Sequence, residues 1–202
     1  MAGSNRVRGL ASALLVAGLL AAAPAAATAQ GSSAITLFGG VYTPLGDDID
    51  LGGVAGTVER NNSFAGGARL TFWGSNILGL ELSGAYSPAK VTIAGGTINE
   101  DRDLNLFFDS AKLMLGVSPK MSPVGFHVGA GPALIRRGED VTAQSESVTD
   151  FGLVFGGGVR IPFSSSIALR VDAEDFVYKG EFGNSDETRN DLLLTAGLSF
   201  GF

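Results

Sequence analysis

The sequence contains no cysteine, and basic residues are scarce. Without cysteine the chain cannot be stapled by disulfides, so its stability has to come from strand or helix pairing and from packing. Lysine and arginine together number 14, against 20 aspartates and glutamates. This excess of acid argues against a nucleic-acid partner, because phosphate binding is driven by clustered cations.

Long apolar runs are confined to the N-terminus. Arg6 and Arg8 precede LASALLVAGLLAAAPAAA, and Ala27-Thr28-Ala29 follows, which is the order of a secretory signal peptide. We therefore predict a signal peptide over residues 1–29 and a mature domain over residues 30–202, with an uncleaved membrane anchor as the alternative. Removing two arginines and no acids changes the net charge from −6 to −8. The mature region has no apolar run of about 18 residues and hence no predicted membrane helix.

Apolar and polar residues alternate with a period of two through most of the mature region, which is typical of half-buried strands. Long polar connections alternate with the short segments GSN, SPKMSP and SSS. This pattern predicts eight strands, with boundaries good to about 2–4 residues. The predicted strands are 34–43, 63–73, 77–87, 104–117, 124–135, 151–163, 167–177 and 191–202.

The first clear hairpin joins SFAGGARLTFW to ILGLELSGAY through GSN. A turn centred on Ser75 would place Arg69 directly opposite Glu81, and opposite charges at facing positions support that register. A later strand, FFDSAKLMLGV, reads less cleanly because Phe107 and Phe108 are adjacent and Asp109 has the parity of the apolar face. We expect a bulge or an early strand end there.

The second clear hairpin joins FGLVFGGGVRIPF to IALRVDAEDFVY through SSS. A turn centred on Ser165 would place Arg160 opposite Arg170, which is unfavourable for two cations alone. Asp172 is one step along the diagonal from Arg160, and we expect it to neutralise that arginine.

The distribution of charge predicts which face of the strands is inside. A soluble sandwich or a lipocalin-like barrel would turn its apolar face inward, but here the apolar faces are large and the opposite faces are rich in Gly, Ala, Ser and Thr with a few charges. Small and charged side chains suit the narrow interior of an eight-stranded barrel, and Phe and Leu suit lipid. Strands of about 9–11 residues can cross a membrane, and a closed barrel satisfies every backbone hydrogen bond. Aromatic residues near the strand ends would form interfacial girdles: Tyr42, Trp73, Tyr86, Phe126, Phe151, Phe163 and Tyr178.

The predicted fold is therefore all-β: a closed, antiparallel, eight-stranded transmembrane up-and-down barrel with short periplasmic turns and long outer loops. In it, the last strand, DLLLTAGLSFGF, pairs with the first, AITLFGGVYT, to close the cylinder.

Here the sequence resembles the small eight-stranded outer-membrane proteins of Gram-negative bacteria, of the OmpA transmembrane-domain and outer-membrane β-barrel-domain type. The resemblance covers residues 30–202 and is sharpest at a polar residue, a glycine and two aromatics near the end: Thr195, Gly197, Phe200 and Phe202. The glycine-rich phrases GFHVGAGPAL and TDFGLVFGGGVRI are also similar to that family. The resemblance implies that the terminal signal is read by the barrel-assembly machinery and that the protein lies in the outer membrane.

Seven charged residues fall on the predicted lumenal faces. They are Arg69, Glu81, Lys112, Arg160, Arg170, Asp172 and Glu174. One interpretation is a structural plug in which the charges pair with one another, and the other is a narrow, gated ion path. We favour the plug, because side chains normally fill an eight-stranded lumen.

Acidic clusters at Asp47-Asp48-Ile49-Asp50 and Glu100-Asp101-Arg102-Asp103 suggest solvated outer loops. The first resembles part of a calcium loop but lacks the terminal bidentate glutamate, so we predict no specific metal site and no cofactor. Weak divalent bridging to lipopolysaccharide phosphates is compatible with these acids. The single histidine, His127, has lumen-facing parity at the periplasmic end of its strand, where we expect a structural role rather than a general base.

These observations predict a structural or surface-interaction scaffold rather than an enzyme. We expect a monomer that contacts outer-membrane lipid, lipopolysaccharide and the assembly machinery. A narrow ion or small-solute channel and a lipid A-modifying enzyme are the alternative functions.

Overall fold

Ten β-strands account for nearly all of the residues that the computed structural model describes, which are 33–45, 49–50, 56–75, 77–95, 98–117, 124–139, 147–182 and 185–202. These residues belong to one compact unit, Ser32–Phe202. The predicted signal peptide lies outside them. The strands are β1 (Ser33–Pro44), β2 (Ile49–Asp50), β3 (Gly56–Arg60), β4 (Ser63–Trp73), β5 (Leu78–Gly95), β6 (Ile98–Val117), β7 (Gly125–Glu139), β8 (Ser147–Pro162), β9 (Ile167–Phe182) and β10 (Ser185–Gly201).

Eight of these strands close into the predicted antiparallel barrel. Neighbours in the order β1, β4, β5, β6, β7, β8, β9 and β10 are hydrogen-bonded, and β10 returns to β1 from Pro44↔Asp191 to Ala34↔Gly201. Beyond this ladder the backbones of Ser33 and Phe202 exchange two further hydrogen bonds. The hydrogen-bonded seam between β1 and β10 therefore extends to Ser33 and Phe202. We call the end of the barrel that holds these two residues the turn end, and the opposite end the loop end.

At the loop end, the strands are longer than predicted. The β5–β6 hairpin is paired without interruption as far as Gly95↔Ile98, and β9–β10 as far as Phe182↔Ser185. In the first loop, β3 pairs with β2 and with the loop-end part of β5, so a small sheet continues beyond the barrel. The prediction was too short because segments such as 99–103 and 185–190 are polar on both faces and carry no hydrophobic alternation, although their backbones still pair.

The predicted register of the first hairpin is wrong by two residues. Arg69 faces Ser83, and Glu81 faces Thr71. The Ser75 hydroxyl accepts hydrogen bonds from the backbone amides of Ile77 and Leu78, at 3.3 and 2.9 Å, and this widens the turn. The pairing centre therefore moves from position 75 to position 76.

The register of the second hairpin is confirmed. Arg160 faces Arg170, and Ser164 caps the turn by accepting from the amides of Ser166 and Ile167. The expected bulge in β6 is wrong, because β5 and β6 keep one register throughout. Phe107 points outward and Phe108 points into the lumen, so the alternation that seemed broken is intact.

The outer wall of the barrel is apolar. Leu80 and Phe155 are 47% and 44% exposed on it, whereas Arg69 and Glu81, which point inward, are 1% and 0% exposed. A belt of exposed Phe, Leu, Ile and Val surrounds the described part of the barrel. A surface of this kind suits a lipid environment and not water. Among the described residues, no helix is long and apolar enough to cross a membrane.

Three of the aromatic residues assigned to the interfacial girdles belong to inward-facing rows. Tyr42 and Tyr178 are 1% and 3% exposed inside the lumen. Trp73 shares the lumenal parity of Arg69 and lies against Gly79 at the turn end. Position near a strand end predicted how far along the barrel axis these rings lie. Strand parity determines whether a ring is on the inner or the outer side of the wall, and an inward ring also needs a lumen wide enough to hold it.

Glycines on the inner wall make room for bulky neighbours. Phe38 is flanked on its two partner strands by Gly67 and Gly197. A Cβ atom at Gly67 would lie 2.1 Å from a backbone oxygen and 2.8 Å from the Phe38 ring. The Arg69 guanidinium stacks on the same ring, with its Cζ 3.9 Å from the centroid. The glycines therefore allow one aromatic ring and one arginine to share a crowded level of the lumen.

We expect Gly67→Ala to destabilise the folded barrel by about 1–3 kcal/mol, the usual cost of overpacking a core. Urea unfolding in lipid vesicles, followed by the fluorescence of the single tryptophan, Trp73, measures the change. Gly138→Ala is the matched control, since the nearest atom to its added Cβ is 4.0 Å away. Equal stabilities of the two variants would contradict this packing role.

Candidate functional site

Six ionisable side chains from four strands meet inside the turn-end half of the lumen. They comprise three cations and three carboxylates, all buried: Arg69, Glu81, Lys112, Arg170, Asp172 and Glu174. We call them the lumenal charge cluster. All six were assigned to the lumen from strand parity, and each belongs to an inward-facing row of β4, β5, β6 or β9.

Arg69 contacts all three carboxylates of the cluster. Its Nη2 donates to Glu174 Oε2 at 2.7 Å and to the Thr195 hydroxyl at 3.0 Å. Its Nη1 is 3.4 Å from Asp172 Oδ2, and its Nε is 3.8 Å from Glu81 Oε1. The arginine therefore spans the lumen from β4 to β9 and β10.

Glu81 joins the other two cations. Its Oε1 is 2.9 Å from Lys112 Nζ and accepts from Arg170 Nη2 at 3.2 Å, and its Oε2 accepts from Arg170 Nη1. Lys112 also pairs with Glu174, and Arg170 Nη2 donates to Asp172 Oδ1 at 2.9 Å. Each charged member of the cluster thus has at least two partners of opposite sign.

Neutral groups complete the cluster, and parity alone did not identify their role. The Thr71 hydroxyl donates to Glu81 at 2.7 Å, and Thr195 accepts from Arg69. His127 Nε2 lies 2.6 Å from Asp172 Oδ1, so the histidine is a lumenal partner of a carboxylate. Its inward parity was visible in the sequence, but the identity of its partner depends on the register between β7, β8 and β9.

Arg160 does not join the cluster. In the described residues, the ion pairs of Asp172 go to Arg69, Arg170 and His127, so the expected neutralisation of Arg160 by Asp172 is wrong. Arg160 lies near the turn end, two residues before Pro162, and is partly exposed. Its charge can be solvated there, and the more deeply placed Arg170 takes the carboxylate.

The cluster is electrically balanced and closely packed. Three positive and three negative charges cancel, and their mutual attraction and hydrogen bonds offset the desolvation penalty of burying them. The gap that borders Lys112, Met114, His127 and Glu174 does not admit a water-sized sphere. Gly156 and Gly158 face Glu174 and Asp172 on the neighbouring strand and leave these carboxylates their space.

An apolar layer lies next to the cluster on the loop-end side. The Phe108 and Phe176 rings are 5.0 Å apart, and Tyr42 lies 5.6 Å from Phe108. Aliphatic side chains on the Phe108 row and on three more inward rows complete this buried layer: Leu106, Ile135, Val154 and Leu193. The layer was not predicted, because the sequence was expected to place its large apolar side chains on the outer wall.

Above the apolar layer, a second polar group ties the first loop to the barrel. Asp191 accepts from Tyr178 at 2.7 Å and from Tyr42 at 3.2 Å. Arg60, on β3, reaches back over the mouth and donates to Asp191 at 2.8 Å. We call these four residues the mouth cluster. Burial disfavours the charged form of Arg60, but the Asp191 carboxylate outweighs it and raises the pKa of the guanidinium above its ordinary value.

The residues of the terminal signal divide between the two faces of β10. Thr195 and Gly197 point inward, to Arg69 and Phe38 respectively. Phe200 and Phe202 are 40% and 64% exposed on the outer side of the seam. The two outward rings are thus the members of the set that another protein or lipid can reach.

The acidic loop segments contribute no described side-chain site. Asp47 and Asp48 lie outside the described residues, and residues 98–103 are described only as backbone of β6. Over the described residues, no group of three or more potential ligands is arranged to hold a metal ion.

Removing one member of the lumenal charge cluster should be strongly destabilising. Lys112→Met leaves Glu81 and Glu174 with fewer cations, and a broken buried pair typically costs about 3–5 kcal/mol. Lys112→Met combined with Glu174→Gln restores the balance at two charges of each sign, so we expect the double variant to recover much of the loss. Urea unfolding in vesicles gives both values, and additive losses would contradict the mutual neutralisation.

Removing the Arg60 side chain from the mouth cluster should loosen the backbone only near β3. Arg60→Ala removes the only described side-chain tie between β3 and Asp191, so amide exchange should accelerate in β3 and in its partner segment 91–95 of β5. Exchange measured by mass spectrometry should change little in β9 and β10 below Asp191. Arg60→Lys, which keeps the charge, is the control, and unchanged exchange in Arg60→Ala would show that backbone pairing alone holds β3.

Comparison with known proteins agrees with this architecture. The structure of Neisserial surface protein A (NspA) superimposes with a TM-score of 0.61 at 16% identity, over 85% of this chain and 97% of that one. OprG from Pseudomonas aeruginosa gives 0.59 at 14% identity over 84% and 96%, and the N-terminal barrel domain of Pseudomonas aeruginosa OprF gives 0.54 at 13% identity over 86% and 100%. At such identities the likeness shows the fold alone. No curated protein matches this sequence.

The family model described as outer membrane protein beta-barrel domain matches residues 12–200. With the closed barrel, the apolar wall and the ion-paired lumen, this match confirms the predicted fold, family and location. The chain belongs to the outer membrane protein beta-barrel domain family and is an outer-membrane protein.

Proposed function

We propose that this protein is a closed outer-membrane scaffold that acts through its loop end rather than through its lumen. In an outer-membrane barrel the short turns face the periplasm and the longer loops face the exterior. The loop end is therefore the surface that other molecules meet. In this proposal the barrel is a monomer, and its partners are outer-membrane lipid, lipopolysaccharide and, during biogenesis, the barrel-assembly machinery.

The observation that carries the proposal is the filling of the lumen. The neutral lumenal charge cluster and the apolar layer follow one another along the same strands, and their side chains are almost completely buried. An ion would have to break several charge pairs at one level and then pass between packed rings at the next. An eight-stranded barrel has no spare width for a bypass.

A role without catalysis is supported by the position of the histidine. His127 is the third residue of β7 from the turn end and is held by Asp172 inside the lumen. A lipid A-modifying enzyme would need its general base near the outer leaflet, within reach of the substrate. Mass spectrometry of lipid A from cells with and without the protein tests this point, and a changed acylation or phosphorylation pattern would refute a purely scaffolding role.

The closed lumen makes a prediction for planar bilayer recordings. The wild-type protein should insert without reproducible unitary currents. Phe108→Ala combined with Lys112→Ala removes bulk from the apolar layer and the charge cluster on the same row of β6, and we expect this variant to leak ions.

Arg160→Ala is the matched control, because Arg160 lies outside the cluster, and it should be as silent as the wild type. Insertion of each variant is checked by heat-modifiable gel migration. Unitary currents from the wild type that any lumenal substitution alters would refute the closed-scaffold proposal and favour the narrow channel.

A further inference from the structure

A polar patch interrupts the apolar outer wall where β5, β6 and β7 approach the loop end. Its five side chains point outward: Tyr86, Asn105, Phe107, Asp109 and Arg136. We call them the wall patch. The Arg136 and Asp109 side chains are 43% and 42% exposed, so this ion pair lies on the outside of the barrel and not in the lumen.

The height of the wall patch matches the outer boundary of the membrane. Arg136 lies eleven residues beyond Gly125, the turn-end start of β7. At about 3.3 Å per residue and a tilt of about 40°, this is about 28 Å, close to the apolar band of about 25 Å in such barrels. A charged pair on the lipid face is costly at the midplane and is tolerated at the interface. Arg136 therefore belongs at the level of the outer-leaflet headgroups.

The wall patch holds its arginine in a fixed position. Arg136 Nη2 donates to Asp109 Oδ2 at 2.6 Å, and its guanidinium lies over the Phe107 ring, 5.6 Å from the centroid. The Tyr86 ring packs 5.0 Å from Phe107, and the Tyr86 hydroxyl donates to Asn105 at 2.6 Å. Because Phe107 faces Tyr86 and Arg136 on its two neighbouring strands, the row is continuous across three strands.

Arg136 retains unused hydrogen-bonding capacity. A guanidinium has five N–H donors, and the described interactions of Arg136 engage one nitrogen with a single carboxylate. Its Nε is buried, so the donors open to an external ligand are those at the exposed end of the guanidinium. A cation with free donors, placed on an aromatic ring at the headgroup level, is suited to a phosphate oxygen.

We propose that the wall patch binds the phosphorylated sugar head of lipopolysaccharide in the outer leaflet. Arg136 donates to a phosphate of the headgroup. Phe107 and Tyr86 lie against the apolar part of the sugar and the adjoining acyl chain, and the Asn105 amide is within reach of a sugar hydroxyl. The site lies on the outer wall, so the proposal does not depend on whether the lumen is closed.

The test is native mass spectrometry of the full-length mature barrel released from detergent with diphosphorylated lipid A as the probe. The wild type should retain lipid A in preference to phosphatidylglycerol at equal concentration. Arg136→Gln should reduce retention about tenfold, as expected from losing one charge-assisted contact. Arg136→Lys, which keeps the charge but loses the planar fork, should be intermediate.

Two variants keep the test decisive. Asp109→Asn keeps an amide oxygen that can accept from Arg136 but removes the competing negative charge, so it should increase lipid A retention, a change in the direction opposite to that of Arg136→Gln. Lys179→Gln is the matched control, because it removes another exposed outward cation, on β9, outside the wall patch. Heat-modifiable migration selects the variants that fold.

Several results would overturn the proposal. These are equal lipid A retention in the wild type and Arg136→Gln, an equal loss in Lys179→Gln, no gain in Asp109→Asn, and equal retention of phosphatidylglycerol and lipid A by the wild type. None of these readings changes with ion conductance, so this proposal and the closed-scaffold proposal can fail separately.

Discussion

The hydrogen-bonded seam between β1 and β10 is the constraint on which the rest of the structure depends. Hydrocarbon offers no partner to a backbone amide or carbonyl, so an open strand edge there is not tolerated. The ladder from Pro44↔Asp191 to Ala34↔Gly201 removes both edges at once. Closure with eight strands then fixes a lumen that only side chains can fill. Most apolar side chains lie on the outer wall. The inward side chains have to fill a small volume, and any charges among them have to be neutralised there.

The inward side chains differ in kind between the two ends of the lumen. Near the turn end the inward positions carry charges, which are tolerable because cations and carboxylates are equal in number and each has several partners. Glycines such as Gly156, opposite Glu174, supply the space that this arrangement needs. Towards the loop end the same rows carry rings and aliphatic groups, which need only to pack. The layer of rings also separates the lumenal charge cluster from the mouth cluster, so each balances its charge locally.

Parity and position account for what could be predicted from the sequence. Period-two alternation identifies the eight barrel strands and places Arg69, Glu81 and Lys112 inside, because a side chain in a strand can point only one of two ways. The register of the first hairpin was missed because it depends on how the Ser75 hydroxyl shapes the turn. Polar loop-end extensions such as 99–103 and 185–190 were missed because they have no apolar face. The inward positions of Phe108 and Tyr178 were missed because aromatic rings were assigned to the outer wall on polarity alone. The volume of the lumen also determines which side chains fill it.

A lumen filled in this way leaves the rim and the wall as the surfaces on which the proposed interactions depend. In the mouth cluster, Arg60 of β3 pairs with Asp191 of β10. The small loop-end sheet is therefore anchored to a second barrel strand, three positions around the barrel from its backbone neighbour β5. A loop held at two points presents its surface at lower entropic cost than a loop held at one. The rigid wall below gives the same advantage to Arg136, whose orientation is set by Phe107 and Asp109 before any lipid arrives. Packing inside the lumen thus holds in place the strands that carry the loop-end and wall residues.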